Sequence, residues 1–537
     1  MTTPTTNPAS LFHDLVSCAC DQVPDQTAVK DSREQLTYSD LMNSLQAVAA
    51  GLQAIGVGRN DRVAIYLPKN VPCVLSILGI SRAGAIFVPI NPVLKPNQVR
   101  HILEDSGTKV LITSNNRWQS LVDSMIDLES LTHIILSDID KDPDSADRSP
   151  DIQKVVAWPQ LSGESVQACG TLESDVAAIL YTSGSTGQPK GVVLSHRNLV
   201  IGAKSVATYL QNTSEDRILS LLPLSFDAGL SQLTTALCVG ASLVLLDYLL
   251  PRDVVRCCES EQITGITGVP PLWMQLANQK WTPSASEQLR YFANTGGKMP
   301  RKILGRLRVI FPNASPFLMY GLTEAFRSTY LDPSQVDNRP DSIGKAIPNA
   351  EILVVNEQGE LCSPGEPGEL VHRGPLVSLG YWNDLARTQE RFKPPPNQLD
   401  GVPLPEMAVW SGDTVSMDDD GYLYFIGRRD DMIKTSGYRV SPTEIEEVAF
   451  ASRMVREAAA LGVEHPTLGQ AILLIVSATE NDRDTSELLT YFRQNLPNHM
   501  IPLQVEWVDQ LPKNPNGKID RKHLALQFAD IFLEDGQ

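Results

Sequence analysis

The chain has no excess of basic residues, no long apolar run and no paired cysteine motif. Its 45 Lys and Arg residues are outnumbered by 63 Asp and Glu residues, which gives a formal net charge of −18. Because phosphate binding requires a basic surface, this composition predicts no nucleic-acid partner. The amino terminus lacks a basic segment followed by an apolar run, so no secretory signal is expected. No uninterrupted apolar stretch reaches the ~18 residues of a membrane span, so no membrane partner is expected either.

The eight cysteines are scattered along the chain. None has the C-x-x-C spacing of a zinc or redox site, which indicates reduced thiols and a cytoplasmic location. With 537 residues, of which 42% are hydrophobic and 20% charged, the chain is expected to form two or more globular domains.

Helix-like and strand-like segments alternate in the first half of the chain. "LTYSDLMNSLQAVAAGLQAIG" has apolar residues at helical spacing and ends at Gly56, and the apolar "DRVAIYLP" follows as a strand. Such alternation predicts parallel sheets covered by helices. From about residue 340 to residue 426, short strands separated by Gly-Pro turns predict a small β-rich subdomain.

A compact carboxyl-terminal segment begins after "GRRDDMIK", which places a domain boundary near Asp430. Its "SPTEIEEVAFASR" has the signals of a helix start, with Ser441 as N-cap, Pro442 at the first position and Glu444 three residues after the cap. The predicted fold class is α/β. A large amino-terminal domain (1–429) of helix-covered β-sheets includes the β-rich subdomain, and a mobile α+β domain (430–537) follows.

"YTSGSTGQPKGVVLSH", residues 181–196, is the strongest local signal in the sequence. Its glycines allow tight turns that present backbone N–H groups, its hydroxyl side chains add donors, and Lys190 adds charge. A loop of this kind suits a polyphosphate. It is not a Walker A loop, because Gly191 follows Lys190 where that motif needs Ser or Thr. A flexible Ser/Gly loop is the alternative interpretation.

The same stretch resembles the signature of the adenylate-forming superfamily of acyl-CoA synthetases, nonribosomal peptide adenylation domains and luciferases. "YGLTE" resembles the family's adenine and magnesium motif, "WSGDTVSMDDDGYLYFIGRRDDMIKTSGYRVSPTEIE" its ribose, hinge and thiol-tunnel motifs, and "NPNGKIDRK" its catalytic-lysine motif. The resemblance covers nearly the whole chain. It implies a ligase that uses ATP and Mg²⁺ to form an acyl-adenylate, whose acyl group a thiol then accepts.

The resemblance also implies a role for each matched residue. Lys518 would bridge the substrate carboxylate and the α-phosphate, Thr323 would contact the α-phosphate, and Glu324 would help to bind magnesium. Asp430 would be the hinge about which the carboxyl-terminal domain rotates, and Gly437 would line the thiol channel. The residues expected to bind the nucleotide are Thr182, Ser183, Gly184, Ser185, Thr186, Gly187, Lys190, Gly297, Tyr320, Gly321, Asp413 and Arg428.

Three of these residues have ordinary alternative interpretations. Asp413 is equally typical of a turn, and Arg428 of a surface ion pair. By composition alone, Lys518 in the polar "KNPNGKIDRK" reads as a solvated loop lysine.

Two charged residues stand where apolar or small residues are usual in the family's fatty-acid enzymes. Asp227, in "FDAGLSQ", matches the aspartate that binds the substrate amino group in amino-acid-activating members. A buried carboxylate is costly unless it is paired, although Asp227 could simply start a helix. Arg327 lies three residues after Glu324 and calls for a carboxylate, with a structural ion pair to a local acid as the alternative.

Together, Asp227 and Arg327 predict a substrate with an amine and a second carboxylate. Asn294 and Gly296, in "FANTGGKMP", match the family's substrate-pocket segment, while Lys298 departs from the acidic residue often found there. The chain is similar to stand-alone enzymes that load β-amino acids onto carrier proteins in macrolactam biosynthesis. Its "GLTEAFRSTYL" is also similar to ligases associated with exosortase gene sets.

The expected activity is therefore adenylation of aspartate, 3-methylaspartate or a related β-amino acid, followed by transfer to the phosphopantetheine of a carrier protein. The chain ends soon after the Lys518 motif, so the acceptor is expected to be a separate carrier protein or coenzyme A. The alternatives are an acyl-CoA ligase for a non-amino acid, a non-catalytic ATP-binding relative and an oxidative luciferase.

Overall fold

The computed structural model describes residues 9–125, 127–139, 154–158, 163, 165–182, 189–428, 432–478, 483–512 and 519–533, with only the backbone of Arg428 and Lys522. The elements of the first half are α1 (Asp14–Cys20), β1 (Thr27–Lys30), β2 (Gln35–Thr37), α2 (Tyr38–Ala54), β3 (Arg62–Tyr66), α3 (Val71–Arg82), β4 (Ile86–Pro89), α4 (Pro96–Ser106), β5 (Val110–Thr113), α5 (Asn115–Met125), β6 (His133–Leu136), β7 (Lys154–Ala157), β8 (Val176–Thr182), β9 (Lys190–Ser195), α6 (His196–Leu210), β10 (Arg217–Ser220), α7 (Asp227–Val239), β11 (Ser242–Leu245), α8 (Pro251–Ser260) and β12 (Gly265–Gly268).

The elements that follow are α9 (Pro270–Leu276), α10 (Pro283–Ser286), β13 (Tyr291–Asn294), α11 (Arg301–Ile310), β14 (Ser315–Tyr320), β15 (Thr329–Leu331), β16 (Ser342–Ala346), β17 (Glu351–Val355), β18 (Gly368–Arg373), α12 (Leu385–Arg391), β19 (Phe392–Lys393), β20 (Ala408–Met417), β21 (Leu423–Arg428), β22 (Ile433–Thr435), β23 (Tyr438–Val440), α13 (Pro442–Ala451), β24 (Val455–His465), β25 (Gly469–Ala478), α14 (Thr485–Asn495), β26 (Gln504–Trp507) and α15 (Arg521–Gln527). Short 3₁₀ turns lie at Thr323–Ala325, Pro333–Gln335 and Asn498–Met500.

The predicted alternation of helices and strands is confirmed in the first half. Helix α2 begins at a capping box in which Thr37 and Asp40 satisfy each other's backbone N–H groups, and it ends two residues before Gly56. Strand β3 follows, with its last four residues buried. Helix α3 then starts at Asn70, whose side chain accepts from the N–H of Cys73.

Two sheets form the frame of the amino-terminal domain. One has seven strands in the order β7-β6-β5-β3-β4-β8-β9 and is parallel except for the β8–β9 pair. The other runs β17-β18-β20-β21-β16-β15-β14-β13-β12-β10-β11-β1-β2, with β19 beside β20. Its β10 to β14 part is parallel, and helices cover it, as the sequence predicts.

The β-rich segment between residues 340 and 426 contains β16 to β21 in antiparallel pairing. Its strands continue the larger sheet through the β15–β16 pair, because Thr329 faces Ala346 there. The β-rich character is confirmed, and the segment is an extension of the neighbouring sheet.

The carboxyl-terminal segment has its own sheet, in the order β23-β22-β25-β24 with β26 beside β25, and its own apolar core. Helix α13 begins after Ser441 as predicted, but the Ser441 side chain makes no capping bond. Glu444 does not reach back to complete a capping box, because its carboxyl accepts from Gln98 of the amino-terminal domain at 2.9 Å. Of the helices in the described ranges, none is both long and apolar enough to cross a bilayer.

Candidate active site

A cavity of about 1310 Å³ opens where the larger sheet meets the carboxyl-terminal segment. Three neighbouring parallel strands deliver residues to it from their carboxyl ends: Val269 directly follows β12, Asn294 ends β13 and Tyr320 ends β14. Ligands of open α/β sheets bind at such strand ends. The order of the strands alone therefore brings the predicted site residues Asn294 and Tyr320 to one cavity.

A buried ion pair joins the two sheets in the wall of this cavity. The ammonium Nζ of Lys190, at the start of β9, lies 3.2 Å from Oε1 of Glu324. The Tyr381 hydroxyl donates to the same carboxylate oxygen at 2.6 Å, and Lys190 donates to the Tyr381 oxygen at 2.9 Å. The three side chains form a closed triangle of polar contacts.

Burial and mutual attraction shift the pKa values of this pair in different proportions. Burial by itself raises the pKa of Glu324, but the Lys190 ammonium and the Tyr381 hydroxyl lower it to about 2. The pKa of Lys190 is lowered because its burial outweighs the attraction of Glu324. Attraction therefore dominates the pKa shift of Glu324, and desolvation dominates that of Lys190. An anionic ligand near Lys190 would stabilise its charged form.

The segment predicted to bind substrate and adenine lies on the opposite wall. Asn294 is 2% exposed, and its Nδ2 donates to the carbonyl of Gly297 at 2.8 Å. Gly296 and Gly297 line the cavity. Lys298, which has no predicted role, forms an exposed ion pair with Asp341 at 2.9 Å.

Asp413, predicted to hold the ribose, lies one layer behind the cavity wall. Its side chain belongs to an almost fully buried residue, 1% exposed, and accepts a hydrogen bond from the Tyr320 hydroxyl. Tyr320, Gly321 and Thr323 do line the cavity. In this arrangement Tyr320 lines the cavity, and Asp413 contacts its hydroxyl from behind.

The two unusual charges of the sequence, Asp227 and Arg327, contact each other. Nη1 of Arg327 lies 3.2 Å from Oδ2 of Asp227, and both residues line the cavity. The Arg327 side chain is 3% exposed and that of Asp227 is 18% exposed. The group predicted to bind an amine and the group predicted to bind a carboxylate therefore neutralise one another. Arg327 lines the cavity, as the pocket interpretation requires, and it also forms the ion pair of the alternative interpretation.

The backbone holds both members of this pair in place. Asp227 is the first residue of α7, where Gly229 allows the helix to approach so closely that an added Cβ would lie 1.9 Å from the Pro223 carbonyl oxygen. Arg327 follows Phe326, which has a φ of 58° and is fully buried. A non-glycine residue in this region is strained and persists only where packing holds it. The strained turn directs Arg327 towards α7.

Gly437, predicted to line the thiol channel, lies against the amino-terminal domain. It has a φ of +83°, and a Cβ added to it would be 2.7 Å from Cγ2 of Val269. Tyr438 beside it packs edge-on against Phe226 at 5.4 Å and face to face with His499 at 3.7 Å. The loop between β22 and β23 therefore forms part of the cavity wall, and any residue other than glycine would disturb it.

Two family models match the chain. An AMP-binding enzyme model matches residues 17–382, and an AMP-binding enzyme C-terminal domain model matches residues 444–518. The chain belongs to the AMP-binding enzyme family. It is an AMP-forming acid–thiol ligase, which adenylates its acid with ATP and Mg²⁺.

The relatives of this AMP-binding enzyme have different named activities. A long-chain-fatty-acid–CoA ligase of Salmonella typhimurium is 30% identical over 95% of this chain and 93% of its own. Surfactin synthase subunit 2 of Bacillus subtilis is 31% identical over 96% of this chain and 14% of its own. The structure of VinN with L-aspartate is 29% identical, covers 78% of this chain and 98% of its own, and has a TM-score of 0.65.

Glu324 and its surroundings fit the magnesium ion of this AMP-binding enzyme. Protein sites for Mg²⁺ usually supply one or two carboxylates and leave the other positions to phosphates and water. Glu324 is such a carboxylate. Oγ1 of Thr182 is buried, lies on the same cavity and has no hydrogen-bond partner among the described residues. When bound, the ion neutralises phosphate charge, and Glu324 would hold it.

Several predicted residues lie outside the described residues. They are Ser183, Gly184, Ser185, Thr186, Gly187, Asp430 and Lys518, together with the side chain of Arg428. Their roles remain predictions.

Tyr381 is a residue of the site that sequence reasoning missed. Its hydroxyl contacts both Lys190 and Glu324, and its ring lies 4.2 Å from the Lys190 ammonium. It occurs in "SLGYWND", about two hundred residues from Lys190, where no charge or glycine pattern marks it. Backbone pairing with β9 brings the two segments together: Val192 and Tyr381 form a bridge, the Val193 N–H donates to the Gly380 carbonyl, and the Trp382 N–H donates to the Gly191 carbonyl.

Proposed function

We propose that this ligase adenylates an acidic amino acid of the aspartate or 3-methylaspartate type and passes the aminoacyl group to the phosphopantetheine thiol of a separate carrier protein. The observation that carries this proposal is the Asp227–Arg327 ion pair in the cavity wall. Two largely buried charges are costly to desolvate, so an apolar wall would suit an apolar acyl chain better than this ion pair does.

A zwitterionic substrate matches this pair group for group. Its ammonium would take Arg327's place at Asp227, and the carboxylate that is not activated would take Asp227's place at Arg327. Each buried charge then exchanges one partner for another, and the wall keeps its charge balance. A substrate with neither group leaves the ion pair intact and gains no interaction from it.

The remaining groups of the cavity suit the adenylation step. The activated carboxylate oxygen attacks the α-phosphorus of ATP, and pyrophosphate leaves. The charge that accumulates is met by Lys190, with the buried hydroxyl of Thr182 as a further donor. Tyr320 would contact the adenosine, Asn294 would line the substrate pocket, and Lys518, as the resemblance implies, would bridge the two reacting anions.

The loop that contains Gly437 supports the transfer step. Because this glycine packs directly against Val269 without a side chain of its own, the loop comes close to the amino-terminal domain in the cavity wall, where a pantetheine arm would enter. Similarity to a surfactin synthase subunit favours a carrier protein over coenzyme A as the acceptor. We also predict a cytoplasmic location, since no cysteine spacing suggests a disulfide framework.

An acyl-CoA ligase for a non-amino acid is the second candidate. It is favoured by the 30% identity to a fatty-acid–CoA ligase along almost the whole chain. The mutual neutralisation of Asp227 and Arg327 is compatible with it, because a paired wall can also face an apolar acyl chain.

Substrate-dependent ATP–pyrophosphate exchange separates these candidates. The panel contains aspartate, 3-methylaspartate, glutamate, β-phenylalanine, the standard amino acids, and aliphatic and aromatic acids. We expect exchange with an acidic amino acid, and loading of a phosphopantetheinylated carrier protein in preference to coenzyme A. Exchange driven only by a plain fatty or aromatic acid would establish the acyl-CoA ligase instead.

A further inference from the structure

A second, much smaller cavity lies beside Arg327. It has a volume of about 10 Å³ and is lined by residues of α6, α7 and the neighbouring strands. Arg327, Gln232 and Thr235 all line it, and they are 2%, 4% and 2% exposed. Three almost fully buried polar side chains thus border one small space.

Each of these side chains has a polar atom without a hydrogen-bond partner in the described part of the chain. The atoms are Nε of Arg327, Oε1 of Gln232 and Oγ1 of Thr235. The amide orientation of Gln232 is fixed, because its Nε2 donates to the Leu219 carbonyl at 2.8 Å. Gln232 and Thr235 are three residues apart on α7, so they share one face of the helix.

Orphaned buried polar atoms are rare, because leaving one unsatisfied destabilises the folded state. The small cavity offers a common solution, since it has room for one water molecule and for nothing larger. Such a water can accept from the Nε–H of Arg327 and donate to the Gln232 oxygen. Its remaining bond would go to the Thr235 hydroxyl, which makes the three partners typical of buried water.

We propose that this cavity holds one buried water molecule, which ties Arg327 to Gln232 and Thr235 and fixes its guanidinium for a substrate carboxylate. Helix α7 then holds Arg327 at two points, through Asp227 at its first turn and through this water one to two turns later. When a substrate ammonium takes over Asp227, the water keeps the guanidinium from swinging away. Gln232 and Thr235 are thereby positioning residues. The recognition part of this inference rests on the proposed function.

The test compares one hydroxyl deletion with a matched control on the same helix. Thr235→Val removes Oγ1 and preserves the shape of the side chain. Thr234→Val is the control, because Thr234 is equally buried and does not line the small cavity, and its hydroxyl already donates to the Ser231 carbonyl at 3.2 Å. Thr235→Ser is the rescue variant, since it keeps the hydroxyl.

Two measurements are made on the full-length proteins. Crystal structures of the wild type and of Thr235→Val are examined for density in the small cavity. ATP–pyrophosphate exchange gives KM and kcat for L-aspartate. We expect Thr235→Val to raise KM by about three- to tenfold with little change in kcat, because the group held by Arg327 is remote from the reacting carboxylate. Thr234→Val and Thr235→Ser are expected to stay within about twofold of the wild type.

A water within hydrogen-bond distance of all three atoms, with a KM increase specific to Thr235→Val, supports the inference. A cavity that is dry in the wild type, or equal kinetics for the two valine variants, overturns it. If no acidic amino acid drives exchange in the wild type, the proposed function is wrong, and the density in the small cavity still decides whether the water exists.

Discussion

Two buried cation–carboxylate pairs face the same cavity, and they differ in how they are completed. Lys190 and Glu324 are 19% and 10% exposed in their side chains and share a third partner, the Tyr381 hydroxyl. Arg327 and Asp227 are 3% and 18% exposed, and the deeper of the two charges, Arg327, keeps an Nε without a partner in the described residues.

Under the proposed function, this difference would separate the chemistry from the choice of substrate. The Lys190–Glu324 pair would contact the ATP and magnesium that every acid substrate requires. The Asp227–Arg327 pair would contact the acyl group, and a zwitterion would supply a new partner for each of its two charges. Changes to the first pair should therefore affect all acids alike, and changes to the second should affect acids selectively.

The largest effect is expected from Glu324→Gln. This change leaves the Lys190 ammonium buried without its carboxylate, and breaking a buried pair costs about 3–5 kcal/mol. We expect ATP–pyrophosphate exchange to fall by at least about a hundredfold with every acid tested. Asp337→Asn, which breaks an exposed pair with Arg308 away from the cavity, is the control and should leave exchange unchanged. Selective loss with only some acids would contradict the separation of roles.

Arg327→Leu tests the second pair. We expect exchange with acidic amino acids to fall by at least about thirtyfold, because both the carboxylate contact and the partner of Asp227 are lost. Apolar acids should lose far less and gain in relative preference. The double variant Asp227→Asn with Arg327→Leu removes the stranded charge and should recover thermal stability compared with Arg327→Leu. An equal loss with all acids would show that Arg327 is only structural.

Gly437→Ala tests a cavity residue that belongs to neither of the two ion pairs. The added methyl group meets Val269 and the residue has a φ of +83°, so the loop between β22 and β23 must shift. We expect thioester formation to fall by about tenfold and exchange to stay within about twofold. Gly305→Ala is a matched control, because nothing lies within 4 Å of its added Cβ. Equal loss of both half-reactions would remove Gly437 from the thiol channel.

We expect acid to destabilise the folded chain before it protonates Glu324 of the Lys190–Glu324 pair. Burial lowers the pKa of His13, His196 and His499 to about 4 and that of His372 to about 3. The unfolded chain binds these protons near pH 6.5, so stability is lost as the pH falls from about 6.5 towards 4. Glu324 remains ionised throughout this interval, because its pKa is about 2.

One carboxyl acts in the opposite direction. Burial raises the pKa of Glu444 to about 7. The stability contributed by its protonated carboxyl is therefore full below about pH 4.5 and is lost as the pH rises towards 7. The four histidines outweigh it. We expect the midpoint of thermal unfolding to be lower at pH 5 than at pH 7, by on the order of 5 °C, and Glu444→Gln to enlarge this difference. A midpoint that is equal or higher at pH 5 would contradict the assignment of neutral, buried histidines.

The sequence predicted the fold class and the neighbourhood of the site well. The alternation around α2, β3 and α3 follows from periodicity and capping residues, which are local properties. The placement of Asp227 and Arg327 on one cavity followed from the family resemblance. Their contact with each other was not predicted, because it depends on how α7 and the strained turn at Phe326 approach in space.

Other features of the site had no signal in the sequence. Tyr381 is one aromatic residue among many, and the backbone pairing of its segment with β9 places it beside Lys190. Asp413 lies in the expected motif, but its carboxylate accepts from the Tyr320 hydroxyl, and Tyr320 is the residue of the two that lines the cavity. Thr235 is an ordinary helix residue, and its proposed role depends on Nε of Arg327, about a hundred residues later in the chain. Long-range packing decides all three.

The most direct test of the account compares four acids in ATP–pyrophosphate exchange with the wild-type enzyme. Aspartate has both the amine and the second carboxylate, succinate lacks the amine, β-alanine lacks the second carboxylate, and propionate lacks both. The Asp227–Arg327 pair predicts that aspartate exceeds succinate and β-alanine by at least about thirtyfold each in kcat/KM, since each analogue leaves one buried charge unmatched. Propionate or a longer apolar acid that matches aspartate would contradict the account.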